Sequence, residues 1–137
     1  MKNKRGWIAN LNLHNRVTVN LIYKLLLFPT ILFGAAIILP TEIQYSSWVP
    51  AAFLSTLYIL MGLVADETIL PMFGNTKATI QGSFFMTAVT WLLPFVYPGN
   101  LVTLPGAAAV GISLGIVEYG MHGWILKQRE LHRRGVS

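Results

Sequence analysis

The chain contains no cysteine. That excludes a disulfide scaffold, thiolate metal sites and cysteine nucleophiles, and leaves the redox compartment open. Charge is scarce as well. Only 11% of the 137 residues are charged, against roughly 25% in an ordinary soluble domain. Acids are the scarcest: five Asp and Glu face ten Lys and Arg, for a net charge of +5. A soluble protein of this length has a large surface for its volume and needs charge to cover it. The composition therefore excludes a soluble globular domain, a disordered chain and a nucleic-acid-binding module. The sequence also lacks HExxH, GxSxG and Walker-type glycine motifs. No catalytic residue, metal site or cofactor is expected from it, and the chain is read as a non-enzyme.

What is abundant is apolar. Hydrophobic residues make up 54% of the chain, and the mean hydropathy is +0.58. They are gathered into four runs, at 21–39, 48–65, 80–96 and 104–125. A helix needs about 20 apolar residues, within a range of about 17–25, to cross a hydrocarbon core. All four runs fall in that range. Lipid offers no hydrogen bonds, so each segment must satisfy its own backbone, which selects helices. The alternating polarity of a membrane β-barrel is absent. The basic stretch before the first run is too long for a usual signal-peptide n-region, so that run reads as a retained helix. The expected fold is all-α, a polytopic membrane protein with four transmembrane helices in an antiparallel bundle. A basic leader spans 1–20, the helical domain 21–126 and a basic tail 127–137.

Lys and Arg fix orientation, because loops rich in them stay in the cytoplasm. Lys2, Lys4, Arg5 and Arg16 precede the first run, and Lys127, Arg129, Arg133 and Arg134 follow the fourth. Lys77 lies between the second and third runs, while the connections 40–47 and 97–103 carry no Lys or Arg. Lys24, one turn into the first run, is expected to snorkel to the same surface. All ten positive charges then lie on one side, placing both termini in the cytoplasm of a cell-membrane protein. Tyr45, Trp48 and Tyr97 would mark the outer interface, and Trp7, Tyr23 and Trp124 the inner one. The bilayer itself, with anionic headgroups at the inner surface, is the expected partner. Trp7, Ile8, Leu11 and Val17 suggest a short helix lying in the headgroups, with a flexible leader as the alternative.

Ionisable groups inside a membrane are expensive and ask for a reason. Glu118 lies nine residues before Lys127, so about 13 Å deep at about 1.5 Å per residue. His122 follows one turn later, close enough to be its neighbour. Desolvation would favour the neutral form of Glu118, and a cationic imidazole would oppose that. At about 100° per residue, Gly111, Gly115, Glu118 and His122 share an arc of about 60°. Ala107 extends the Gly111–Gly115 pair upward into a small-residue face that lets helix backbones approach closely. Ser83, Thr87 and Thr90 form a similar face on the third run, with Pro94 below them. These two faces are expected to pack together, the hydroxyls donating to Glu118. Asp66 and Glu67 are read as ending the second helix, Asp66 capping the next segment or pairing with Lys77 or Lys24. The inner loop 66–79 carries Pro71 and a Gly74-Asn75 turn signal.

Two stretches resemble a known family. Asp66-Glu67-Thr68-Ile69-Leu70-Pro71-Met72-Phe73-Gly74-Asn75, followed by Ala78-Thr79, is similar to the signature of the YndM-like family. Glu118-Tyr119 followed by His122 resembles that family's last helix. The resemblance implies a small four-helix membrane protein of spore-forming, low-GC Gram-positive bacteria, without an assigned activity. Where that family often carries an acidic residue after Ala-Thr, this chain has Gln81 and Gly82. Two functional readings remain. One is a structural or assembly component, a homo-oligomer or the partner of another membrane protein, in which Glu118 and His122 clamp helix packing. The other is a small oligomeric transporter or channel coupled to protons or cations through the same pair.

Overall fold

The structure, a computed structural model, describes the backbone of residues 2–135 and the side chains of residues 14–135. The elements follow in the order α1 (Lys2–Ile38), β1 (Ile43–Gln44), α2 (Trp48–Phe73), α3 (Asn75–Val96), β2 (Leu101–Val102) and α4 (Leu104–Arg133). All four helices are long and apolar enough to cross a membrane, the stretch in α1 running His14–Ile38. Local chemistry sets their starts. The Ser47 hydroxyl accepts from the Val49 N–H at 3.3 Å, and the Thr103 hydroxyl from the Gly106 N–H at 3.2 Å. Each satisfies a donor that the first turn of a helix leaves unpaired. Pro105 sits in the first turn of α4, where a missing N–H does no harm.

Two short strands were not anticipated. They pair antiparallel, Ile43 opposite Val102 and Gln44 opposite Leu101. The α1–α2 and α3–α4 connections thus meet at one end of the bundle and satisfy each other's backbone. Thr103 reinforces the junction. Its N–H donates to the Glu42 carbonyl at 3.0 Å, and its hydroxyl donates to the Glu42 carboxylate. Gly106 permits the close approach: a Cβ there would lie 2.9 Å from Ile43 Cγ1 and 3.0 Å from the Glu42 carbonyl oxygen.

At the other end the expected inner loop is absent. Helix α2 continues through Pro71 to Phe73, and α3 opens at Asn75, so Asp66 and Pro71 are helical and Gly74 alone joins the two. Gly74 adopts φ 83°, which glycine reaches without steric penalty. Its N–H bonds to the Leu70 carbonyl at 2.9 Å. Proline removes one helical hydrogen bond and crowds the preceding turn, and the helix ends soon after it, at Phe73. The leader and tail likewise merge into α1 and α4. The proposed stripe of Trp7, Ile8 and Leu11 lies outside the described side chains.

The core follows from spacing. Along α1 the buried residues Arg16, Asn20, Lys24, Phe28 and Leu32 recur every fourth position, forming one seam toward α2 and α4. Helices α3 and α4 pack most closely. A Cβ on Gly111 would lie 1.8 Å from Thr87 Oγ1 and 2.8 Å from the Ser83 carbonyl oxygen, and one on Gly115 would lie 3.1 Å from Ser83 Cβ. The Ser83 hydroxyl donates to the Gly111 carbonyl at 2.7 Å, and Ala107 is fully buried. Thr90 turns toward α2, where its hydroxyl meets that of Tyr58 at 2.6 Å. The outer surface is apolar: Ile37, Phe84 and Phe95 are each more than three-quarters exposed.

Candidate functional site

Four ionisable side chains from three helices meet inside the bundle. Lys24 of α1 is fully buried, and its Nζ lies 2.9 Å from Asp66 Oδ2 of α2 while also donating to Glu118 Oε1 of α4. His122, one turn along α4 from Glu118, directs Nε2 at Glu118 Oε2 (2.8 Å) and Asp66 Oδ1 (2.9 Å). Asn20 Nδ2 donates to Asp66 Oδ2 at 2.7 Å. Among the described residues, Asn20 Oδ1 is a buried side-chain polar atom with no hydrogen-bond partner. Gly62 makes room for the ammonium, since a Cβ there would lie 3.1 Å from Lys24 Nζ.

Helix α3 contributes a hydroxyl that fixes the proton arrangement. The Asn75 Nδ2 donates to the Tyr119 carbonyl at 3.1 Å, so Asn75 Oδ1 faces Thr79, whose hydroxyl donates to it at 3.1 Å. A hydroxyl has one hydrogen. Thr79 therefore accepts from His122 Nδ1, 2.9 Å away. Since Nε2 faces two carboxylate oxygens, both ring nitrogens carry protons. The cluster then holds two positive and two negative charges and is neutral overall. This balance is what makes four buried ionisable groups tolerable, because an unpaired buried charge is strongly destabilising.

A second ionic layer lies toward the end where α2 meets α3. Arg16 grips Glu67 with two hydrogen bonds, Nε to Oε1 at 3.1 Å and Nη2 to Oε2 at 2.8 Å, and Arg129 Nη1 reaches Oε2 at 2.8 Å. The planar fork of arginine suits such two-point binding.

Beside the cluster a cavity of about 270 Å³ opens between α2 and α3. Asp66, Thr79, Glu118 and His122 line its inner end; Phe28, Tyr58, Phe85 and Met86 form much of its wall. Lys24 and Asn20 do not line it. Ligating atoms of Asp66, Glu118 and His122 lie within 4.8 Å of one another, a spacing compatible with a metal ion. The Lys24 ammonium already supplies the positive charge between the two carboxylates, so the arrangement reads as an ion-pair cluster.

Several expectations are corrected. Lys24 does not snorkel; it is the centre of the buried cluster. Of the alternatives for Asp66, pairing with Lys24 is the one the structure shows; Lys77 lies exposed in the first turn of α3, and Asp66 lies within α2 rather than capping a following segment. The serine and threonine hydroxyls of α3 do not donate to Glu118, which is held by Lys24 and His122 instead. The aromatic residues expected at the interfaces also make internal bonds: Tyr23 donates to the Val117 carbonyl at 3.0 Å and Tyr45 to the Leu32 carbonyl at 2.9 Å. Asn20 and Thr79 went unnoticed as site residues. The four-residue spacing of Arg16, Asn20 and Lys24 on an apolar helix was the available signal.

Membrane-length apolar helices around a charge-balanced polar centre fit the class of small multi-helix membrane proteins. The family described as "Protein of unknown function (DUF2512)" matches residues 16–135, and the chain belongs to it. Among curated proteins and among solved structures, nothing matches the chain.

Proposed function

We propose that the chain is a multi-pass protein of the cell membrane, with both termini cytoplasmic, that acts as a non-enzymatic structural or assembly component. The observation that carries this reading is the Lys24–Asp66–Glu118–His122 cluster. Each charge in the apolar middle is met by an opposite charge from another helix. Such a clamp fixes one arrangement of α1, α2 and α4. It leaves no unpaired carboxylate for a passing ion, because a tethered ammonium fills that role. Orientation is supported by Arg16, Lys77, Arg129, Arg133 and Arg134, which share the end where α2 meets α3. That basic end suits anionic headgroups, and the apolar outer surface suits lipid, a second copy or another membrane protein.

The absence of cysteine makes topology directly testable. Single Asn3→Cys and Ser137→Cys variants should react with an impermeant maleimide only after cells are permeabilised, and Ser46→Cys should react in intact cells. Labelling of the two ends from opposite sides overturns the threading. For function, proteoliposomes should show no proton or cation flux above that of empty vesicles. A flux that Glu118→Gln abolishes would instead establish the transporter reading. Cross-linking in native membranes should recover a stable partner or a homo-oligomer; a protein that is always a lone monomer refutes the assembly role.

A further inference from the structure

We infer that the cavity between α2 and α3 binds an uncharged, lipid-soluble hydroxylated aromatic compound, its hydroxyl donating to the carboxylates of Asp66 and Glu118. The inference rests on the membrane-embedded reading only in that the ligand arrives from the bilayer.

Hydrogen-bond accounting at the inner end of the cavity sets the ligand's polar group. Both N–H groups of His122 are committed, one to Thr79 and one shared between Asp66 Oδ1 and Glu118 Oε2. The Thr79 hydrogen goes to Asn75, and the Tyr58 hydroxyl is engaged by the Met86 carbonyl (2.9 Å) and Thr90. Lys24 approaches the carboxylates from the α1 side and does not line the cavity. The inner end therefore offers acceptors and no donors. Its one cavity-side proton is divided between two carboxylate oxygens, each of which has lone pairs to spare. A bound group must donate. An ether or ketone finds no donor at the inner end, and the Gln81 carboxamide sits out at the mouth.

Charge sets the second condition. Two cations and two anions already balance, so a charged ligand would bring an uncompensated charge into an apolar site. The ligand is neutral.

The wall sets the third. Phe28, Tyr58 and Phe85 with Met61 and Met86 surround the space, a lining that favours a flat aromatic body through ring and sulfur contacts. Met61, Ile69, Gln81 and Phe85 are exposed around the mouth, so access is sideways from the surrounding lipid. Gly82 keeps that mouth open, as a Cβ there would meet only Met86 Cε, at 4.0 Å.

The test titrates the full-length protein in nanodiscs by calorimetry with three probes of one shape: 1-naphthol, 1-methoxynaphthalene and 1-naphthylmethylammonium. Partition into protein-free nanodiscs is subtracted. Saturable binding of one 1-naphthol per chain is expected, with the ether and the ammonium at least about tenfold weaker. Gly82→Leu should abolish naphthol binding while circular dichroism and thermal unfolding stay as in the unaltered protein. Equal binding of ether and naphthol overturns the acceptor-only inner end. Tightest binding of the ammonium overturns the charge argument. No saturable binding of any probe overturns the site. The maleimide topology experiment stands apart, so a failure of the membrane reading would be seen separately.

Discussion

Lys24 offers the sharpest perturbation. Lys24→Met keeps the length and apolar stem of the side chain and removes the ammonium. Asp66 and Glu118 then face each other across the cluster with only the His122 cation between them, leaving one uncompensated negative charge. Side-chain exposure is 0% for Lys24, 2% for Asp66 and 7% for Glu118, so water cannot take over. Removing one partner of a buried ion pair costs about 3–5 kcal/mol. Glu118→Gln alone should cost a comparable amount, because it leaves one uncompensated positive charge. The double variant restores balance, with Asp66 facing His122, and should cost less than the sum of the singles by about 2 kcal/mol or more. Reversible unfolding in mixed detergent micelles, followed by circular dichroism, measures all four corners of this cycle. Single effects that simply add, within about 0.5 kcal/mol, would refute charge balance as the reason the cluster is tolerated.

Two further perturbations probe other parts of the fold. Gly111→Ala should destabilise by about 1–3 kcal/mol, and more than Gly115→Ala. The new methyl group would sit 1.8 Å from Thr87 Oγ1 and 2.8 Å from the Ser83 carbonyl oxygen, against 3.1 Å from the Ser83 side chain at Gly115; equal melting temperatures for the two variants would contradict the α3–α4 packing. Burial pushes the Tyr45 phenol up to about 12 from an ordinary value of 10.0. The folded protein holds that proton more tightly than the unfolded chain, so this contribution is intact below about pH 10 and lost as pH rises toward about 12. Ultraviolet difference titration of the protein against Tyr45→Phe should show the extra tyrosinate signal only above pH 11; a signal near pH 10 refutes the burial.

The sequence by itself determined that there are four helices, where α2 and α4 begin and where α3 ends. Apolar runs near the thickness of a bilayer are a local property, and local properties are legible in order along the chain. The close approach of α3 and α4 was also readable, because Gly111 and Gly115 repeat on one face. The helical path through Pro71 was not: proline and the Gly74-Asn75 pair are both break signals, and only the packed bundle shows that Gly74 alone makes the turn. Nor was the strand pairing, which depends on two connections far apart in the chain arriving together, as Ile43 opposite Val102 shows. The cluster divides the same way. Glu118 and His122 announce themselves as neighbours on one helix. Lys24 read alone looks like a side chain reaching for the surface, and Asp66 like a cap or a partner of either Lys77 or Lys24. Only tertiary structure decides that they meet, because the partner of a buried charge is chosen by which helix faces it across the core, and separation along the chain carries no trace of that choice.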